Sequence, residues 1–181
     1  MKSIDKMTQG ELAAFVQSNL RKFGVHVVLS GGATVAIYSN NKYVSNDLDF
    51  IDLYFSKRQL IREAMESMGF KEKGRYFRHP ETKFFVEFPP GPLTVGEDAV
   101  TDIHEIKYST GLLRIISPTD CVKDRLACYY HWGDGQCLHQ ALLVAQEHKI
   151  EIDEIKRWSQ AEGKLDEFNE FKKRLAQNKN K

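Results

Sequence analysis

Along the first 24 residues, Leu12, Phe15, Val16, Leu20 and Phe23 recur every three or four positions and stop at Gly24. Thr8 and Glu11 stand just before them with the spacing of a capping box, so an amphipathic opening helix is predicted. Val25 to Leu29 is an apolar, β-branched run too short for a helix, and reads as a buried strand ending at Ser30-Gly31-Gly32. A second helix can start directly at Ala33 and is broken at Asn40-Asn41. From Asp47 to Leu53 polar and apolar residues alternate, the pattern of a half-buried strand.

Ser56 and Gln59 have the spacing of another capping box, for a helix that stops at Gly69. Phe70 to Arg78 fits a short hairpin around Gly74, and Phe84 to Phe88 a strand cut off by Pro89-Pro90, with a stiff loop running to Pro92. Ile103 to Tyr108 and Leu112 to Ile116 suit two strands joined across Ser109-Thr110-Gly111. Ser117-Pro118-Thr119-Asp120 then opens a helical tail, with candidate helices over 121–130, 136–148, 153–161 and 165–175 and a frayed Lys-rich end. The order of elements predicts an α/β (α+β) fold: a mixed, twisted sheet flanked by helices over 1–116, and a C-terminal helical bundle over 117–181 packed on it.

With 181 residues the chain suits one compact body, and its formal charge of +1 gives no broad field to draw in nucleic acid or an anionic membrane. Any grip on phosphate must be local. No stretch reaches the roughly 18 apolar residues of a membrane span, and the N-terminus carries acids where a secretory signal would be apolar, so the protein is expected in the cytoplasm with no membrane partner. Cys121, Cys128 and Cys137, an odd number in a short segment, are expected as reduced thiols that pack.

Asp47 and Asp49, two apart on the predicted strand, project from the same face, while Leu48 and Phe50 enter the other. Two neighbouring carboxylates repel unless a cation sits between them, and hard oxygen ligands of this kind suit magnesium, which also bridges the phosphates of a nucleotide. By itself Asp-x-Asp equally describes the polar face of an ordinary strand. The upstream context adds to it, since strand, Ser30-Gly31-Gly32 and helix start form a turn whose backbone amides can approach phosphate oxygens.

VVLSGG followed by SNDLDFI resembles the DNA polymerase β-like nucleotidyltransferase superfamily, in which a strand ending in Gly-Gly or Gly-Ser leads through a helix to a strand bearing Asp-x-Asp. Ser45, two residues before the first Asp, is similar to small bacterial members such as lincosamide-type antibiotic nucleotidyltransferases and abortive-infection toxins. The resemblance covers about residues 25 to 90. It implies a third carboxylate on a later strand, here Glu87 in FFVEF where the family more often has Asp, as a metal ligand or as the base that deprotonates the attacking hydroxyl. It further implies Mg2+ held by Asp47, Asp49 and Glu87, phosphate contacts from Ser30, Gly31, Gly32 and Ser45, and a basic residue of the tail on the triphosphate. Lys123 is the first candidate for that role and Arg125 the second, although Lys123 could be a solvated charge and Arg125 a partner of Asp120 or Asp124.

The reaction so implied moves a nucleoside monophosphate from a nucleoside triphosphate to a hydroxyl of a small molecule, protein or RNA. Two rivals remain: a catalytically silent nucleotide-binding or interaction module, and the toxin of a toxin–antitoxin pair with a small antitoxin partner. His131, Asp134, Cys137 and His139 lack zinc spacing, and Trp132-Gly133-Asp134-Gly135 reads as an interhelical turn.

Overall fold

The computed structural model describes residues 2–178. After a short 3-10 turn (Ile4–Lys6), α1 (Gln9–Lys22) opens under the expected reciprocal cap of Thr8 and Glu11. There follow β1 (Val27–Ser30), α2 (Gly31–Tyr38), β2 (Asp47–Asp52), α3 (Arg58–Ser67), β3 (Lys71–Lys73), β4 (Tyr76–Arg78) and β5 (Phe85–Glu87). Then come β6 (Thr94–Val95), β7 (Asp98–Ala99), β8 (Ile103–Tyr108) and β9 (Gly111–Ile116). The tail is α4 (Pro118–Trp132), α5 (Gly135–Glu147), α6 (Ile152–Ala161) and α7 (Leu165–Asn178). Of the expected frayed end, Lys179 to Lys181 lie outside the described residues.

Seven strands form one mixed sheet in the order β3-β4-β5-β2-β1-β9-β8, with β2 parallel to β5 and β1 parallel to β9. The fold class expected from the pattern is the one observed. Leu48 and Phe50 of β2 are fully buried while the flanking Asp47 and Asp49 are only partly so, as the alternation requires. Buried Gln17 ties α1 to the sheet by donating to Val27 O and accepting from Arg114 N. One apolar cluster runs from α1 and the sheet into the tail, taking in Val122, Leu138, Trp158 and Phe171.

Three expectations need correction. β1 begins at Val27 rather than Val25, because Gly24 turns left-handed and Val25 N returns to Leu20 O to close α1. Ser56 is not a cap: its N–H is taken by Asp52 Oδ2 in the turn after β2, and α3 starts at Arg58 behind Lys57. Cys128 and Cys137 form a disulfide joining the end of α4 to the start of α5, so only Cys121 is a free thiol, and it is buried. A cysteine count cannot see that the turn at Gly133 and the Asp134 cap of α5 bring these two side chains together.

Candidate functional site

β1 passes into α2 without a loop. Ser30 ends the strand and is the N-cap residue of the helix, yet its side chain caps none of the first-turn N–H groups, because its hydroxyl donates to Asp49 O at 3.4 Å. The first amides of α2 are thus left to whatever occupies the space before them. Gly31 has φ +68°, and a Cβ there would overlap Asp49 Oδ2. Only glycine satisfies both the left-handed backbone and that approach. Gly32 is less constrained: a Cβ would stand 3.0 Å from Ser45 Oγ.

Strand register assembles the acids. Asp49 lies between Ser30 on β1 and Glu87 on β5, and Asp47 is opposite Phe85. The three carboxylates therefore share one face of the sheet, with Glu87 one interstrand spacing from Asp49, roughly 4.8 Å by the usual geometry. Ser45 is buried and its hydroxyl donates to Asp47 Oδ1. Glu87 meets Arg75 at 3.4 Å, but Arg75 is 70% exposed and holds its partner weakly.

Negative charge is poorly compensated here. Burial, then the charges of Asp47 and Glu87, push the Asp49 carboxyl from 3.8 up to about 7, with Arg125 pulling the other way. Among the described residues, one group of three candidate ligands has all its donor atoms within 4.8 Å of one another, and it is Cys128, Asp134 and Cys137. That group has no thiolate to offer while the disulfide stands, and Asp134 is occupied as the cap of α5. The acids of the sheet are more open than that and share a face without converging tightly.

Beside them lies a cleft of about 330 Å³ lined at its polar end by Ser30, Gly31, Asp49 and Asp124. Its other walls are apolar, from Ile51, Ile116, the Pro89–Pro92 loop and the β6–β7 segment. A larger groove of about 770 Å³ between α3 and the β3–β4 hairpin contains none of these acids, so chemistry rather than size selects the site.

Lys123 is not at this cleft. Its ammonium is buried in a separate cavity among three carboxylates, Asp98 and Glu154 at 3.2 Å and Asp120 at 3.8 Å, away from Ser30, Gly31 and Asp49. Arg125, the second basic candidate, lowers the Asp49 pKa by its charge while its ion-pair partner, the cleft residue Asp124, raises it. Helical phase decides this: Lys123 and Arg125 are two apart on α4 and so point to different sides. Of the two acids that the sequence offers Arg125, the partner is Asp124, whose place in the cleft lining no sequence pattern signals.

No protein-family model matches the chain. No curated protein matches it in sequence. Among solved structures it is similar to the antibiotic-resistance factor ANT(2'')-Ia, known from a solution structure described as revealing substrate-regulated conformation dynamics. The TM-score is 0.49 at 11% identity, over 98% of this chain and 97% of that one. At that distance the likeness says nothing of activity.

Proposed function

We propose that the chain is a magnesium-dependent nucleotidyltransferase that moves a nucleoside monophosphate from a nucleoside triphosphate to a hydroxyl of an acceptor. The observation that carries this reading is the shared face of Asp47, Asp49 and Glu87 beside the uncapped start of α2, with Asp49 the one of the three that lines the polar end of the cleft. The donor set fits magnesium: all oxygens and carboxylate-rich, with Asp49 held protonated up to about pH 7 by burial first and by the charges of Asp47 and Glu87 second. Magnesium would supply there the positive charge that lets these carboxylates ionise together and offsets the charge of a triphosphate.

Asp47 and Asp49 would hold it, with Glu87 completing the set once it leaves Arg75. The N–H groups of Gly31 and Gly32, at the positive end of α2, would hold phosphate oxygens, and the Ser30 hydroxyl is within the same turn. Ser45 acts through Asp47, fixing the rotamer of its carboxylate. Arg125 supplies a tail cation whose charge reaches Asp49. The acceptor hydroxyl would give up its proton to a carboxylate of this set as its oxygen forms a bond to the α-phosphorus, while the bond to the bridging oxygen breaks and pyrophosphate leaves. Positioning and charge neutralisation supply most of the acceleration.

The openness of the acid group and the tie of Glu87 to Arg75 also suit a second reading, a nucleotide-binding module without transfer. Calorimetry with a non-hydrolysable triphosphate, alongside transfer of labelled nucleotide to acceptor mixtures, separates the two. Transferase activity requires magnesium-dependent binding that is lost in Asp47→Ala, together with label transfer. Binding without transfer supports the module, and absence of binding refutes both.

A further inference from the structure

The wall of the cleft opposite the sheet is a segment with little structure of its own. Leu93, Thr94, Val95 and Val100 line the cleft together with Ser30, Gly31 and Asp49. The β6–β7 strands are two residues each and pair only with one another, outside the seven-stranded sheet. An isolated hairpin is marginal in water, so its position must be set by what it rests on.

It rests on α4 and α6. The indole N–H of Trp158, fully buried on α6, donates to Val95 O at 3.2 Å. At the tip, Gly96 has φ +58° and backs onto Glu162 and Trp158 so closely that a Cβ would overlap the Glu162 carboxylate. On β7, Asp98 accepts from Lys123 Nζ at 3.2 Å and also pairs with Arg157. Lys123 is only 4% exposed and reaches three elements at once, Asp120 on its own α4, Glu154 on α6 and Asp98 on the hairpin. Its ammonium also stands 5.7 Å from the centre of the Trp158 ring. A buried lysine is costly unless fully paired, and this one is paired in the way that fastens the hairpin to both helices.

We propose that Lys123 is a positioning residue for the cleft: through Asp98 it fixes the β6–β7 hairpin, and with it Thr94, Val95 and Val100, at the separation from Asp49 at which a nucleotide is held. This rests on the nucleotide reading of the cleft. The tail thereby shapes the site through the hairpin, at a distance, rather than through a lysine on the phosphates.

The test uses the full chain with Asp98→Asn and Arg157→Gln, which leave Lys123 its contacts to Asp120 and Glu154, together with Lys123→Met and Lys123→Arg. Three readouts are taken: amide hydrogen exchange, binding of Mn2+ alone, and binding of a magnesium-loaded non-hydrolysable triphosphate. In Asp98→Asn, exchange over residues 93–100 is expected to rise about tenfold, equivalent to about 1.4 kcal/mol of local opening, with β1 and β2 unchanged. Triphosphate affinity should fall at least about fivefold while Mn2+ affinity holds, and Lys123→Arg should keep what Lys123→Met loses. A uniform rise in exchange across the chain overturns the inference, and so does a loosened hairpin with unchanged triphosphate affinity. A wild-type protein that binds no triphosphate overturns the nucleotide reading instead, and the exchange pattern still decides whether Lys123 seats the hairpin.

Discussion

Asp49→Asn should make the unliganded protein more stable. Folding carries Asp49 from an ordinary carboxyl at 3.8 to one near 7, because it is packed against Gly31 and flanked by Asp47 and Glu87. The sign follows from linkage. An acid whose value is raised in the folded state binds its proton more tightly there, so stability falls as pH climbs from about 4 to about 7 and is level above that. About three units at 1.36 kcal/mol each set a ceiling of about 4 kcal/mol for holding Asp49 ionised in the fold. Water entering the open side of the cleft lowers this, and about 2 kcal/mol is the working figure. For a chain of this size that is roughly 4 to 8 °C in melting temperature. Thermal melts of both proteins should therefore diverge by that amount between about pH 4.5 and about pH 8, the variant gaining on the wild type as pH rises. Added magnesium should restore part of the wild-type loss at the higher pH and leave the variant unmoved. Equal pH profiles for the two proteins would refute the claim that burial beside Asp47 and Glu87 raises the Asp49 carboxyl.

Two further outcomes are expected. Gly31→Ala should cost about 2 kcal/mol or more in a urea titration, since it adds left-handed strain to an overlap with Asp49, whereas Gly32→Ala, with no left-handed strain and a Cβ that would stand 3.0 Å from Ser45 Oγ, should cost under about 1 kcal/mol. Similar midpoints for the two would remove the glycine turn from the site. A thiol-reactive dye should find no fast-reacting group in the native protein, one thiol after denaturation without reductant, and three with it, because Cys121 is buried and Cys128 is bonded to Cys137. Three thiols without reductant would show that the bridge does not form.

Local rules made much of this legible. The Thr8–Glu11 cap, the alternation through Asp47, Leu48, Asp49 and Phe50, and the strand–glycine–helix turn are all settled within a few residues, and each appears where short-range chemistry puts it. Placing Glu87 beside Asp49 takes one long-range step, the β2–β5 pairing, which the residues of FFVEF do not encode and which only the family resemblance implied. What failed was tertiary. Whether Lys123 or Arg125 of α4 looks toward the sheet depends on how that helix is rolled against α6 and the hairpin, and two residues of helix carry no such information. The β6–β7 hairpin has no sequence signature because strands of two residues have no period. Ser56 read as a cap only because Asp52, which captures its N–H, belongs to the preceding strand.

The most direct test is crystallographic: grow the protein with Mn2+ and a non-hydrolysable nucleoside triphosphate and collect anomalous data. The expected result is a manganese peak bounded by Asp47, Asp49 and Glu87, with phosphate oxygens at the N–H groups of Gly31 and Gly32 and Arg75 turned away from Glu87. Triphosphate bound elsewhere, or no manganese between the two aspartates at saturating ligand, would contradict the proposed chemistry.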